Sequence, residues 1–246
     1  KQDLILLRMV LPPAAPPVRP SSLNAGLLRR PDKVSVPPQS LFSSAALAIF
    51  RSEVQKQTGE QRSSEKDAFS AMIAELRDYQ RTHSVAEQQT LSSNVISALS
   101  GPFAAIFRSV VPLALRPAIL AFFASIFAPF LVGEMRLTQR APGDTRAGGV
   151  LLKECLVLKE SGCSGMCIHM CKLPSEKAFV EQWGTPLSMS PNFETNECQL
   201  SFGVEPIPAA LDPSLAQGCL TGCPLALEKQ HSTTALDGEP TECTFT

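Results

Sequence analysis

Glu160-Ser-Gly-Cys163-Ser-Gly-Met-Cys167-Ile-His-Met-Cys171-Lys-Leu-Pro174 sets three thiols in two consecutive C-x3-C steps. The first 154 residues contain no cysteine; Cys155 precedes the motif, and Cys198, Cys219 and Cys223 follow it, the last two as another C-x3-C step. Cys243, in a polar tail, reads as a free thiol. Three states would account for such a cluster. Small secreted disulfide scaffolds are cysteine-dense throughout and follow a secretory signal, and neither feature is evident, so disulfides are the weaker reading. Structural zinc tolerates an x3 spacing, but overlapping steps with one nearby imidazole, His169, do not make the usual paired knuckles. Iron–sulfur clusters need about four soft thiolates, which this segment supplies in excess. Iron–sulfur is favoured and zinc stays open.

Helix geometry limits which thiols can meet. Residues four apart share a face about 6 Å apart along the axis, and residues eight apart are separated by about 12 Å. Cys163, Cys167 and Cys171 therefore cannot all converge from one straight helix. The Ser-Gly pairs at 161–162 and 164–165 offer a break, because glycine permits a left-handed turn. Pro174 is expected to stop the helix carrying Cys167 and Cys171. The expected ligand core is Cys163, Cys167 and Cys171, completed by Cys198 or the Cys219/Cys223 pair, with Cys155 a further candidate.

Outward from the motif, residues 134–158 suggest a hairpin: Glu134 to Gln139 alternates, 141–144 is a turn, and Gly149-Val-Leu-Leu returns before the chain turns helical through Cys155. Ser175 to Trp183 reads as a short amphipathic helix stopped by Gly184. Cys198, Leu200, Phe202 and Val204 alternate, predicting a strand with its thiol on the buried face. Residues 206–224 read as loop.

Upstream, Pro102 to Gly133 carries only two charges, Arg108 and Arg116, and six phenylalanines, which marks it as the apolar centre of the protein. Its uncharged part, Pro117 to Gly133, contains Pro129 and is at or below bilayer-spanning length. A buried core helix is the first reading; an interfacial membrane helix or the wall of a lipid pocket also fits, with Phe122, Phe123, Phe127 and Phe130 as substrate-binding candidates. Arg108 and Arg116 would then meet lipid head groups or remain solvated. Further upstream, helices are predicted over 42–58, ending at Gly59, over 64–80 with Phe69, Met72, Ile73 and Leu76 on one face, and from the capping box Ser84-Val-Ala-Glu87 to near Gly101.

The opening forty residues hold eight of the 21 prolines and lack apolar periodicity. From Met9, which reads as a start, to Ser52, five basic residues face one acid. That balance suits a transit peptide or an ordinary disordered arm. A net charge of −1 and a pI near 6.4, with no basic stripe, argue against nucleic acid as partner. There is no P-loop, G-x-G-x-x-G, G-x-S-x-G or His-Glu-x-x-His.

From about Val111 to Pro224 the chain resembles the plastid β-carotene isomerase family of strigolactone biosynthesis. The resemblance is carried by Gly149-Val-Leu-Leu-Lys-Glu-Cys155, by Glu160 to Pro174, by Pro191-Asn-Phe-Glu194 with Cys198, and by the final C-x3-C. It implies an iron-dependent, chloroplast enzyme interconverting all-trans and 9-cis β-carotene. A conjugated polyene offers no acidic proton and no carbonyl, so a cysteine-held iron or iron–sulfur centre doing one-electron chemistry beside an apolar groove is a consistent tool. The catalytic side chains remain unknown. The other reading is a non-catalytic, metal-stabilised pigment-binding or photosynthetic-complex subunit, with peripheral membrane association. The expected fold is α+β and mainly helical: a transit arm over 1–41, a helical region with the apolar helix over 42–133, a cysteine-rich metal-binding region with a small hairpin and strand over 134–227, and a disordered tail over 228–246.

Overall fold

The computed structural model describes residues 41–59, 67–141, 143–220 and 223–225. Residues 1–40 of the expected transit arm and the tail carrying Cys243 lie outside them. The described residues form an α+β structure, mainly helical, with one antiparallel sheet of four strands in the order β1-β2-β4-β3.

Three helices open it: α1 (Leu41–Thr58), α2 (Ala68–Thr82) and α3 (Val85–Val110). Asp67 caps α2 by accepting from the Ser70 N–H at 3.0 Å, and Ser84 and Glu87 close the expected capping box on α3. The predicted face of α2 is the buried one, with Phe69, Met72 and Ile73 at most 1% exposed. Glu75 on the same helix is fully buried and is held by Arg51 of α1, at 2.7 and 3.2 Å, and by Gln55 at 3.0 Å. That network ties α1 to α2 through a charge that burial alone would penalise.

α3 does not end near Gly101. It runs through Pro102 to Val110, because Ala104 and Phe107 on its last turns are buried and Phe107 packs edge-on against Trp183 at 5.4 Å. Tertiary packing there outweighs the backbone hydrogen bond that the proline forfeits. By length and composition α3 would suffice to cross a bilayer, although Leu91 and Val95 on it belong to a core shared with Val54 and Tyr79.

The sheet comprises β1 (Met135–Gln139), β2 (Ala147–Leu152), β3 (Leu187–Pro191) and β4 (Cys198–Phe202). β1 and β2 form the expected hairpin, in register from Met135 opposite Leu152 to a bulge at Thr138/Gln139. Gly149 sits opposite that bulge, where a Cβ would collide with the Gln139 carbonyl oxygen. β4 is the expected strand, and β3, not foreseen, is an edge strand that pairs with it. Val150, Leu152, Leu187, Met189, Cys198, Leu200 and Phe202 form the main core with Phe107, Leu120 and Ala121.

The apolar segment forms α4 (Arg116–Phe127) and the short α5 (Pro129–Val132). It is not the apolar centre. α4 lays Pro117, Leu120 and Ala121 inward, while Phe122, Phe123, Ile126 and Phe127 are 45–52% exposed. The reason is geometric: the helix packs mainly on the sheet and carries apolar residues on all sides. Arg108 and Arg116 are more than solvated ends, since they donate to carbonyls at helix ends. Arg116 reaches Arg108 O at 2.7 Å and Gly184 O at 3.3 Å, and Arg108 reaches Glu181 O at 2.9 Å.

Candidate functional site

The chain leaves β2 into α6 (Leu156–Ser161), with Cys155 as its N-cap: the sulfur accepts the Leu158 N–H at 3.4 Å. Gly162 ends α6 with φ +58, the left-handed turn expected of it, so that Cys163 starts a new helix, α7 (Ser164–Cys167). Ser70 and Arg77 of α2 hold this junction by donating to the Glu160 carboxylate at 3.0 Å and to the Glu160 and Ser161 carbonyls at 3.3 and 3.2 Å.

α7 continues without interruption as a π-turn over Ile168–Lys172 and then as α8 (Leu173–Glu181). Pro174 therefore does not stop the helix; it sits in the first turn of α8. The wide turn before it makes this compatible, for the Leu173 N–H reaches back five residues to Ile168 O. The π-turn also changes which side chains line up. In a regular helix residues five apart point to different sides, whereas i→i+5 bonding brings them nearly into line. Lys172 is thereby turned toward the side that carries Cys167.

The thiols sort into two groups. Cys167, Cys171, Cys198 and Cys155 lie within electrostatic reach of one another. Cys155 and Cys171 pack against the sheet core that contains Cys198. Burial, and then the neighbouring sulfurs, raise the Cys167 thiol well above its usual pKa and push Cys171 up to about 12. The same causes raise Cys198, and burial raises Cys155. Cys163 belongs elsewhere: it is buried with Cys223 in the cluster formed by Leu47, Phe69, Met72 and Ile73 of α1 and α2. Cys219 packs at the edge of that second cluster with its sulfur in a disulfide. His169 is half-buried, near Gln89, and burial lowers its pKa.

Beside the four-thiol group is a feature the sequence reading missed. The Lys172 side chain is fully buried and pairs with Glu176 at 2.8 Å and Asp212 at 2.9 Å, and also donates to Met189 O. Burial works against its charge, but the two carboxylates outweigh burial and hold its pKa above the usual lysine value. Lys172 in turn favours thiolate at Cys167 and Cys198. The i,i+4 spacing of Lys172 and Glu176 was visible in the sequence; Asp212, forty residues on, was not.

The donor chemistry of the first group suits a soft metal: four sulfurs, with Cys198 buried and Cys155, Cys167 and Cys171 half-buried, and a cation alongside. Among the described residues, no three ligating side chains already converge on one point. They form a neighbourhood of thiols and not a closed cage. The phenylalanine candidates occupy a different place. Phe42, Phe127, Phe123 and Phe122 form a chain of rings with centroids 5.9, 5.8 and 6.1 Å apart, on the surface. Phe130 turns inward against Phe50 at 6.3 Å. A small apolar pocket of about 60 Å³ lies instead among α1, α2, α3 and Met170 of the π-turn.

Residues 130–210, which hold the hairpin, the π-turn and the four-thiol group, match the family model described as β-carotene isomerase D27-like, C-terminal. These residues carry the chain's likeness to the D27-like family. It is 29% identical over 207 residues to a protein of Medicago truncatula named β-carotene isomerase D27, chloroplastic, covering 83% of this chain and 81% of that one. The protein of the same name from Arabidopsis thaliana is 28% identical over 191 residues, covering 75% and 71%. No solved structure matches. All four cysteines of the first group fall inside the D27-like region, as does Cys163, whereas Cys219 and Cys223 lie beyond it.

Proposed function

We propose that this protein is a plastid carotenoid cis/trans isomerase acting on all-trans and 9-cis β-carotene, with iron held by Cys155, Cys167, Cys171 and Cys198. The observation that carries the reading is the grouping of these four thiols inside the region shared with the D27-like family, whose relatives are named chloroplastic β-carotene isomerases. Iron bound by thiolates supplies one-electron chemistry, and removing or adding an electron lowers the rotation barrier of a conjugated double bond. The remaining work falls to the chain. The four sulfurs give up their protons to bind metal, against the burial that otherwise keeps them protonated. Lys172 offsets part of the resulting negative charge, and Glu176 and Asp212 keep its ammonium in place.

A hydrocarbon substrate must be taken from lipid. The exposed ring chain Phe42, Phe127, Phe123 and Phe122 offers it an apolar contact surface, and no acidic residue falls between Gly101 and Gly133 to repel an anionic membrane. The pocket near Met170 is much smaller than the roughly 300–1,000 Å³ typical of ligand sites, which is why the surface and not that pocket is assigned this contact.

The deciding experiment is anaerobic incubation of metal-loaded and metal-stripped protein with all-trans β-carotene, followed by chromatographic separation of isomers. The loaded protein should approach the same isomer ratio from either side, since a catalyst lowers a barrier common to both directions. Equal, unchanged ratios in both folded samples would instead favour a pigment-binding subunit without turnover.

A further inference from the structure

Lys172, Glu176 and Asp212 are 0%, 4% and 6% exposed, and they join three separate pieces of the chain. β3 is an edge strand, so one side of it has no strand to bond to. At Met189 two side chains fill that place: Glu176 Oε1 accepts the Met189 N–H at 2.8 Å, and Lys172 donates to the Met189 carbonyl. β3 in turn pairs with β4, setting Met189 opposite Leu200 and Pro191 opposite Cys198. The Lys172–Glu176 pair therefore fastens the π-turn, one residue from Cys171, to the sheet that carries Cys198. Asp212 completes the arrangement from beyond β4. Its Oδ1 accepts from the Ser214 N–H at 2.9 Å and the Ser214 hydroxyl at 2.7 Å, which leaves the water-excluded Oδ2 to pair by charge with the Lys172 ammonium at 2.9 Å. An ammonium has three protons to place, and these three oxygens surround it.

Resting on the assignment of iron to the four thiols, we propose that Asp212 is a positioning residue for the metal: by pinning Lys172 it keeps the π-turn in place and holds Cys171 where it can share one ion with Cys198. Without the Asp212 charge, the enclosed ammonium has one carboxylate left, and that carboxylate already serves the Met189 N–H. A buried charge that loses a partner is strongly unfavourable, and the π-turn is the element that can give way. Reversion of that turn to regular spacing rotates the residues after it by about 100° relative to those before it, the angle of one helical residue. Cys171 then leaves its seat against the core that contains Cys198. Asp212 lies outside residues 130–210, so the likeness of that region to the D27-like family assigns it no role.

The test titrates cobalt(II) into full-length, metal-stripped protein under anaerobic conditions. Near-ultraviolet thiolate-to-cobalt absorption reports how many sulfurs bind, and the visible bands report their geometry. Asp212→Asn should weaken cobalt binding about 10–100-fold and lower the thiolate absorption per bound ion at saturation. Asp212→Glu, which keeps the charge, should recover part of both. Arg51→Ala is the control: it breaks another buried ion pair, between α1 and α2, and should lower stability while leaving cobalt affinity and spectrum unchanged. Circular dichroism checks folding. Should Asp212→Asn be unfolded, Ser214→Ala, which removes only the hydroxyl donor to Asp212 Oδ1, is read in its place and should move both features in the same direction. Unmutated affinity and spectrum in the folded variant that is read, or an equal loss in Arg51→Ala, would overturn the proposal. Absence of thiolate absorption in the unmutated protein would sink the metal assignment and this proposal with it, so the two failures are told apart without reference to turnover.

Discussion

α2 and α4 have similar lengths, 15 and 12 residues, and spend their apolar side chains in opposite ways. α2 alternates its faces, and the one bearing Phe69, Met72 and Ile73 is almost completely removed from water. α4 is apolar nearly all round, but only Pro117, Leu120 and Ala121 are buried, and four large side chains stay about half exposed. A helix that is apolar on every side is ordinarily a buried one. α4 shows that composition measures the capacity for burial, and the number of packing partners sets how much of it is used. The surplus marks a surface for contact with something else.

The comparison can be broken most directly at the buried face. Phe69→Ala should cost about 3–5 kcal/mol, through lost transfer energy plus a cavity, read as a drop in the denaturant midpoint at unchanged slope. Equal loss from Phe123→Ala on α4 would erase the distinction. Arg51→Ala comes next, at about 3 kcal/mol, because it leaves the fully buried Glu75 carboxylate without its main cation. Thermal unfolding of that variant at neutral pH measures it.

Smaller effects sharpen the contrast. Asp67→Ala should cost about 1 kcal/mol by removing the acceptor for the Ser70 N–H at the start of α2. Phe123→Asp should change stability by less than about 1 kcal/mol, as expected for an exposed site. The same variant should bind carotenoid-loaded anionic vesicles much more weakly in flotation. Unfolding of Phe123→Asp, or full vesicle binding by it, would remove the reason to treat α4 as a contact surface.

What could be read in advance was local. The Ser84 capping box, the face of α2 and the left-handed Gly162 depend on residues within one or two turns, and each was legible. The end of α3 was not: Gly101-Pro102 is a sound stop signal, overridden by the burial of Ala104 and Phe107. β3 was missed because Leu187-Ser-Met-Ser-Pro191 is short and ends in a proline, which an edge strand accommodates. Pro174 was misread for a related reason, since a proline serves equally to end one helical turn or to begin the next.

By itself, the sequence determined that a cysteine-rich segment would contain a break at Gly162 and that Cys167 and Cys171 would share a helical face, since both follow from backbone geometry over a few residues. It did not determine which thiols meet. Cys155 and Cys198 join that face because β2 pairs with β4 and sets Leu152 opposite Cys198, and Lys172 turns toward Cys167 because a π-turn replaces a regular one. Cys163 departs toward Cys223 because the second core, between α1, α2 and α7, encloses them both. Spacing along a chain constrains contacts only within a continuous element; between elements, the burial of apolar faces decides which sulfurs become neighbours.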